Sequence, residues 1–185
     1  MRKIIILFIF IMILVGCSRK NVSLIVSDYI DLYKNLDTRI MDELDKFIDS
    51  KDISLENKEL YKNAIIRGYN NIDYEIVNET YKGEYAYVNV KLTVLDLYKS
   101  QKESLNYLNN NVNTFSDDGV YKSSLFTNYK LKRMLDTDDK ITYHAEFKLL
   151  NNGNKWELVQ PSEEVLEKLH GIYNYEEWFF FFFLL

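Results

Sequence analysis

The stretch "NIDYEIVNETYKGEYAYVNVKLTVLDLYKS", Asn71 to Ser100, decides the fold class. Ile72, Tyr74 and Ile76 alternate with Asp73 and Glu75, Lys82-Gly83 supplies a turn, and Ala86, Val88, Val90, Leu92 and Val94 alternate with Tyr85, Tyr87, Asn89, Lys91 and Thr93. A period of two places successive side chains on opposite faces of a strand, so the stretch predicts a long β-hairpin with one apolar face. That face needs a cover, and the neighbouring segments supply it.

Upstream, the apolar period is helical. Val22, Val26, Tyr29, Tyr33, Leu36, Ile40, Leu44 and Phe47 recur three or four apart with acidic and basic residues between them, which predicts one long amphipathic helix over 22–48. Ser50 to Ser54 interrupts it. A second helix is expected over 55–68, with Leu60, Tyr61, Ala64 and Ile65 on one face and Ser54 as its N-cap. The two are expected to pair as a helical hairpin.

Downstream, helical spacing returns over 98–111, marked by Leu105 and Leu108. After the loop Ser116-Asp117-Asp118-Gly119 it resumes over 121–135. A second hairpin is predicted from Ile141–Phe147 and Lys155–Val159, joined through Asn152-Gly153, a strong turn signal. Pro161 ends that strand, and Ser162-Glu163-Glu164 opens a last helix to about His170, with acidic residues where the helix dipole favours them.

This order of elements makes an α+β chain with a curved antiparallel sheet packed on N-terminal helices. It resembles the cone-shaped fold of the nuclear transport factor two and ketosteroid isomerase superfamily. More narrowly, the stretch from Asn71 to Ser100 and "KITYHAEFKLLNNGNKWELVQPSEEVLEKLHGIYNY", Lys140 to Tyr175, resemble uncharacterised Gram-positive lipoproteins assigned to that superfamily. The resemblance rests on core and turn residues, and it implies a fold more than an activity.

The N-terminus has its own reading. Met1-Arg2-Lys3 is a short basic region, Ile4 to Val15 is an uninterrupted apolar run of 12 residues, and Gly16 is a small residue before Cys17. As a helix the run would extend about 18 Å, against a hydrocarbon core of about 30 Å. Leu14-Val15-Gly16-Cys17 resembles the bacterial lipobox, which implies cleavage between Gly16 and Cys17 and a diacylglyceryl group, with palmitate-type acyl chains, on the Cys17 thiol. Two acyl chains give the stable anchoring that one does not.

The expected organisation is therefore a signal peptide over 1–16, a lipidated N-terminus and short tether over 17–21, a single cone-like domain over 22–175, and an apolar tail over 176–185 outside the fold. The Phe-rich tail, "WFFFFFLL", is expected to come from a T-rich stretch of coding DNA. Localisation is expected at the extracytoplasmic face of a cell membrane.

A lone cysteine and two histidines leave no internal disulfide and no zinc set. Removing residues 1–16 takes Arg2 and Lys3 with it and moves the net charge from −5 to −7, a poor match to nucleic acid. The expected partners are the membrane, through the anchor, and a small ligand or envelope protein.

No catalytic, metal or cofactor residue is predicted, and no Gly-x-Ser-x-Gly, His-Glu-x-x-His or phosphate-binding glycine loop occurs. His144 shares a strand face with Thr142, Glu146 and Lys148 and reads as solvated, and His170 reads as a partner of its helix's C-terminal dipole. Asp73, Glu75 and Glu79 read as a solvated acidic stripe, with Asp117-Asp118 as an acidic loop. Tyr74, Tyr85, Tyr87, Tyr98, Tyr121, Tyr129 and Tyr143 suit pocket rims, although strands favour tyrosine in any case. Two functions compete: a non-enzymatic binding lipoprotein, and an isomerase- or dehydratase-type enzyme pairing a tyrosine with a carboxylate inside the cone. A structural spacer is a third.

Overall fold

A computed structural model describes residues 21–153 and 155–174. Over these residues the chain is α+β, with six helices and a curved antiparallel sheet of four strands. Strand β1 (Asp73–Lys82) pairs with β2 (Tyr85–Leu95), as the alternation predicts. Lys82 faces Tyr85 across a two-residue loop whose first residue is Gly83, at φ +60°, a conformation that favours glycine at the start of a tight hairpin.

A small hairpin intervenes between the two halves of the sheet, formed by β3 (Ser116–Asp117) and β4 (Val120–Tyr121). Strand β5 (Lys140–Asn151) then pairs with β2 along its whole length, and β6 (Trp156–Leu158) closes the order β1-β2-β5-β6.

The inner face is apolar throughout. Val88, Val90 and Leu92 of β2 and Ala145, Phe147 and Leu149 of β5 are at most 2% exposed. Burying one side chain of this size contributes about 1.5–3 kcal/mol, so this layer accounts for much of the stability. Helix α1 (Val22–Lys34) covers it with Val22, Val26, Ile30 and Tyr33, spaced three or four apart.

The predicted single helix over 22–48 is two helices. Helix α1 ends at Lys34 and α2 spans Thr38–Asp49. Leu36 adopts φ +54°, with its N–H donating to the Tyr33 carbonyl at 3.0 Å and the Asp37 N–H to the Leu32 carbonyl at 2.9 Å. These two bonds form a Schellman C-cap. Asp37 then caps α2 by accepting from the Arg39 N–H at 3.0 Å. Apolar spacing passes through the break unaltered, because both helices keep their apolar sides inward and periodicity registers only that.

Helix α3 (Leu55–Asn70) is capped by Ser54, which accepts from the Asn57 N–H, as predicted. It packs on α2 as the hairpin expectation required, and more extensively on α5 (Ser123–Asp136). Helix α4 (Leu97–Asn110) lies against α5, and α6 (Glu163–Leu169), the last described element, lies beside β2 and β5.

The acidic stripe on β1 is broken by a β-bulge. Ile76 pairs with Val90 and Asn78 with Asn89, leaving Val77 as an extra residue. Beyond it the alternation changes phase. Asp73 and Glu75 face outward, whereas Glu79 turns to the helix side and accepts from the Ser23 hydroxyl and, at 3.3 Å, the Ser23 N–H of α1.

Candidate functional site

Four segments distant in sequence converge on one cavity of about 360 Å³. Helix α2 contributes Ile40, Glu43, Leu44 and Phe47, and α3 contributes Tyr61, Ile65 and Tyr69. Helix α6 contributes Glu163, Leu166, Glu167 and His170, while Tyr33 of α1 and Ile172 complete the wall. Each of the three helices offers positions three or four apart, so the lining is one stripe from each.

The turn at Leu36 makes this geometry possible. It separates α1, which covers the sheet, from α2, which packs on α3 and lines the cavity with α3 and α6. A straight helix would have carried Ile40, Leu44 and Phe47 onward along the line of α1.

Aromatic rings form the floor. Tyr33 and Tyr69 meet edge to face with centroids 5.3 Å apart, and the His170 imidazole lies 5.9 Å from Tyr33 and 5.6 Å from Tyr69. Phe47, 45% exposed, meets Tyr61 edge to face at 6.0 Å at the mouth. Burial pushes the phenols of Tyr33 and Tyr69 well above the ordinary tyrosine range, and the Glu43 charge adds to both shifts. Burial also holds the His170 imidazole down to about 4, so it is neutral at pH 7.

A neutral ring is a poor partner for the helix dipole, which corrects the expectation for His170. Residue 170 is the C-cap of α6, but its side chain belongs to the cavity floor.

Carboxylates ring the mouth. Glu43 and Glu163 are exposed and Glu167 is half-buried. Burial raises the Glu167 carboxyl above its usual range, with Glu163 and Glu164 adding repulsion. Glu164 is paired with Lys168 at 2.5 Å, whereas Glu43, Glu163 and Glu167 make no ion pair among the described residues. The lining contains no lysine or arginine.

Gly171 fastens α6 in place. It sits at φ +69° in a second Schellman C-cap, with the Ile172 N–H donating to the Glu167 carbonyl at 3.0 Å, and its own carbonyl accepts from the Tyr98 N–H at 2.9 Å. A Cβ at this position would lie 2.1 Å from the Leu95 carbonyl oxygen. The close approach docks the pocket wall on the end of β2.

The enzyme reading required a tyrosine hydrogen-bonded to a carboxylate within the pocket. The Tyr33 hydroxyl is instead 3.1 Å from that of Tyr29. The described tyrosine–carboxylate bonds, Tyr74 to Asp31 at 3.1 Å and Tyr81 to Glu79 at 2.6 Å, involve no residue of the cavity lining. The concave face of the sheet, where a cone would hold its site, is filled by its own side chains and α1.

His144 lies exposed on the outer sheet face opposite Lys91, where its alternation put it. Asp117 and Asp118 are exposed at the β3–β4 turn. None of the seven tyrosines singled out for pocket rims lines the cavity; Tyr33, Tyr61 and Tyr69 do. Their signal was available in the spacing 61, 65, 69 and 163, 166, 167, 170, but which helices face each other is not encoded in any one of them. Gly16, Cys17 and the 176–185 tail lie outside the described residues. Among the described residues no helix is long and apolar enough to cross a membrane, and no group of three or more acidic, histidine or cysteine side chains is placed to hold a metal. Comparison with family models, with curated proteins and with solved structures finds no match to this chain.

Proposed function

We propose that the chain is a surface lipoprotein, cleaved before Cys17 and held by a diacylglyceryl group on that thiol, whose folded domain binds a small, largely apolar ligand without transforming it. The observation that carries the binding role is the aromatic-floored cavity between α2, α3 and α6. Concave, mostly apolar spaces with a few convergent polar groups are the usual form of a ligand site. The basic and apolar N-terminal run ending in Leu14-Val15-Gly16-Cys17 supports the anchor. A cone of the nuclear transport factor two type remains our reading of the architecture, supported by the curved four-stranded sheet wrapped on α1.

Screening the protein against a library of small apolar and amphipathic compounds by thermal shift tests the binding role. Saturable hits are expected, and Leu44→Trp, which fills the cavity, is expected to abolish them. Hits that survive this substitution would move the site elsewhere, and a silent screen would overturn the reading.

A further inference from the structure

We propose that the ligand of this pocket is an organic ammonium, with its apolar body against Leu44, Ile65 and Leu166 and its positive end among Glu43, Glu167 and the rings of Tyr33 and Tyr69. The inference rests on the pocket being a ligand site and adds the charge of what enters it.

Three observations converge on a cation. First, the mouth is of one sign: Glu43, Glu163 and Glu167 line it, and no lysine or arginine does. Carboxylates gathered around the opening, none of the three ion-paired among the described residues, favour a positive guest over a neutral or negative one. Secondly, Tyr33, Phe47, Tyr61 and Tyr69 line the space, and aromatic rings attract ammonium groups placed over their faces within about 6 Å of the centroid. The molecule already displays this preference at the rim, where the Lys51 ammonium lies 4.1 Å from the centre of the Phe47 ring.

Thirdly, the floor can accept but does not repel. The imidazole of His170 makes no hydrogen bond to another described residue, and as a neutral ring it offers one unprotonated nitrogen to a donor. A charged histidine would have opposed a cationic guest. The charge of Glu43 is felt as deep as Tyr33 and Tyr69, so rim and floor act on the same guest.

The test uses three probes with one skeleton: 4-phenylbutylamine, 4-phenylbutan-1-ol and 4-phenylbutyrate, positive, neutral and negative. Each is titrated calorimetrically into the full-length protein in phosphatidylcholine nanodiscs, with empty discs as the blank. The amine is expected to bind at least about fivefold more tightly than the alcohol, and the acid more weakly than either, from the scale of exposed charge pairs and cation–π contacts.

The Glu43→Gln/Glu167→Gln double variant, with far-UV circular dichroism unchanged, is expected to bring the amine to the affinity of the alcohol. The alcohol titrated into the same variant supplies the reference, so the comparison is the ratio of amine to alcohol affinity. Equal affinities for the three probes, or a preference for the acid, would overturn the cation and leave the pocket intact. An amine preference that survives the double variant would also overturn it, while absence of binding by all three would overturn the pocket reading along with it.

Discussion

At the scale of single residues, His170 carries the sharpest consequence. Its imidazole is held near 4 in the folded chain against an ordinary value of 6.5, because burial disfavours the charged form. The unfolded chain therefore takes up the proton first, and the stability associated with His170 is present above about pH 6.5 and lost as pH falls towards 4. Each unit of difference corresponds to about 1.4 kcal/mol. Urea denaturation at pH 7.5 and pH 4.5 is expected to show a smaller acid loss for His170→Phe than for the original chain, and equal losses would contradict a buried neutral imidazole. Beside it, Gly171→Ala is expected to cost more than about 2 kcal/mol, since a β-carbon would collide with the Leu95 carbonyl and the backbone is left-handed there. The position of His170 at a helix end was legible in the sequence. Its surroundings were not, because they come from Tyr33 and Tyr69, more than a hundred and thirty and about a hundred residues away.

At the scale of elements, the two hairpins of the four-stranded sheet are legible because alternation and turn chemistry are local, whereas 116–121, expected as a loop running into a helix, forms the small β3–β4 hairpin, too short to show alternation. The break in the first helix was missed because Leu36 is an apolar residue in register, and leucine is an unusual occupant of a left-handed C-cap position. The signal that could have found it is Asp37, an N-cap residue in the middle of an apparently continuous helix. The bulge at Val77 was equally invisible, and it moved Glu79 from the solvent face to Ser23. Packing of α3 on α5 includes a polar contact that no pattern announced: the Asn128 amide donates to the exposed Glu56 at 2.9 Å and to the side-chain oxygen of Asn57, 2% exposed, at 3.0 Å. Asn128→Ala is expected to cost about 1–3 kcal/mol by leaving that oxygen unsatisfied. In a double-mutant cycle, Asn57→Ala with Asn128→Ala should cost clearly less than the sum of the singles, and additive costs would show that the contact contributes little.

At the scale of the molecule, the pocket illustrates what one sequence does not reveal. Tyr33, the 40–47 face of α2 and Tyr61 and Ile65 of α3 read as apolar sides of amphipathic helices, while Glu163 and His170 read as dipole partners at the ends of α6, and none of these signals marks a shared cavity. Only their mutual angles leave a space between them. The proposed membrane tether belongs to this scale as well. Cys17→Ser is expected to abolish incorporation of a clickable palmitate analogue and to shift the protein out of the membrane fraction, while persistent labelling would refute Cys17 as the acylated residue.

Strand β1 is ten residues long and, among the described residues, pairs on one side only, with β2. An outer strand of that length is a template for edge-to-edge addition by a neighbouring copy. Molecules confined to one plane meet their neighbours far more often than molecules in solution, so such an edge matters most on a crowded surface. The kink at Val77 bends the template, and Asp73, Glu75 and Lys82 punctuate it with charge. The bulge that turns Glu79 inward thus also serves as a guard against lateral aggregation, a protection of most value to a domain held as proposed on a crowded surface.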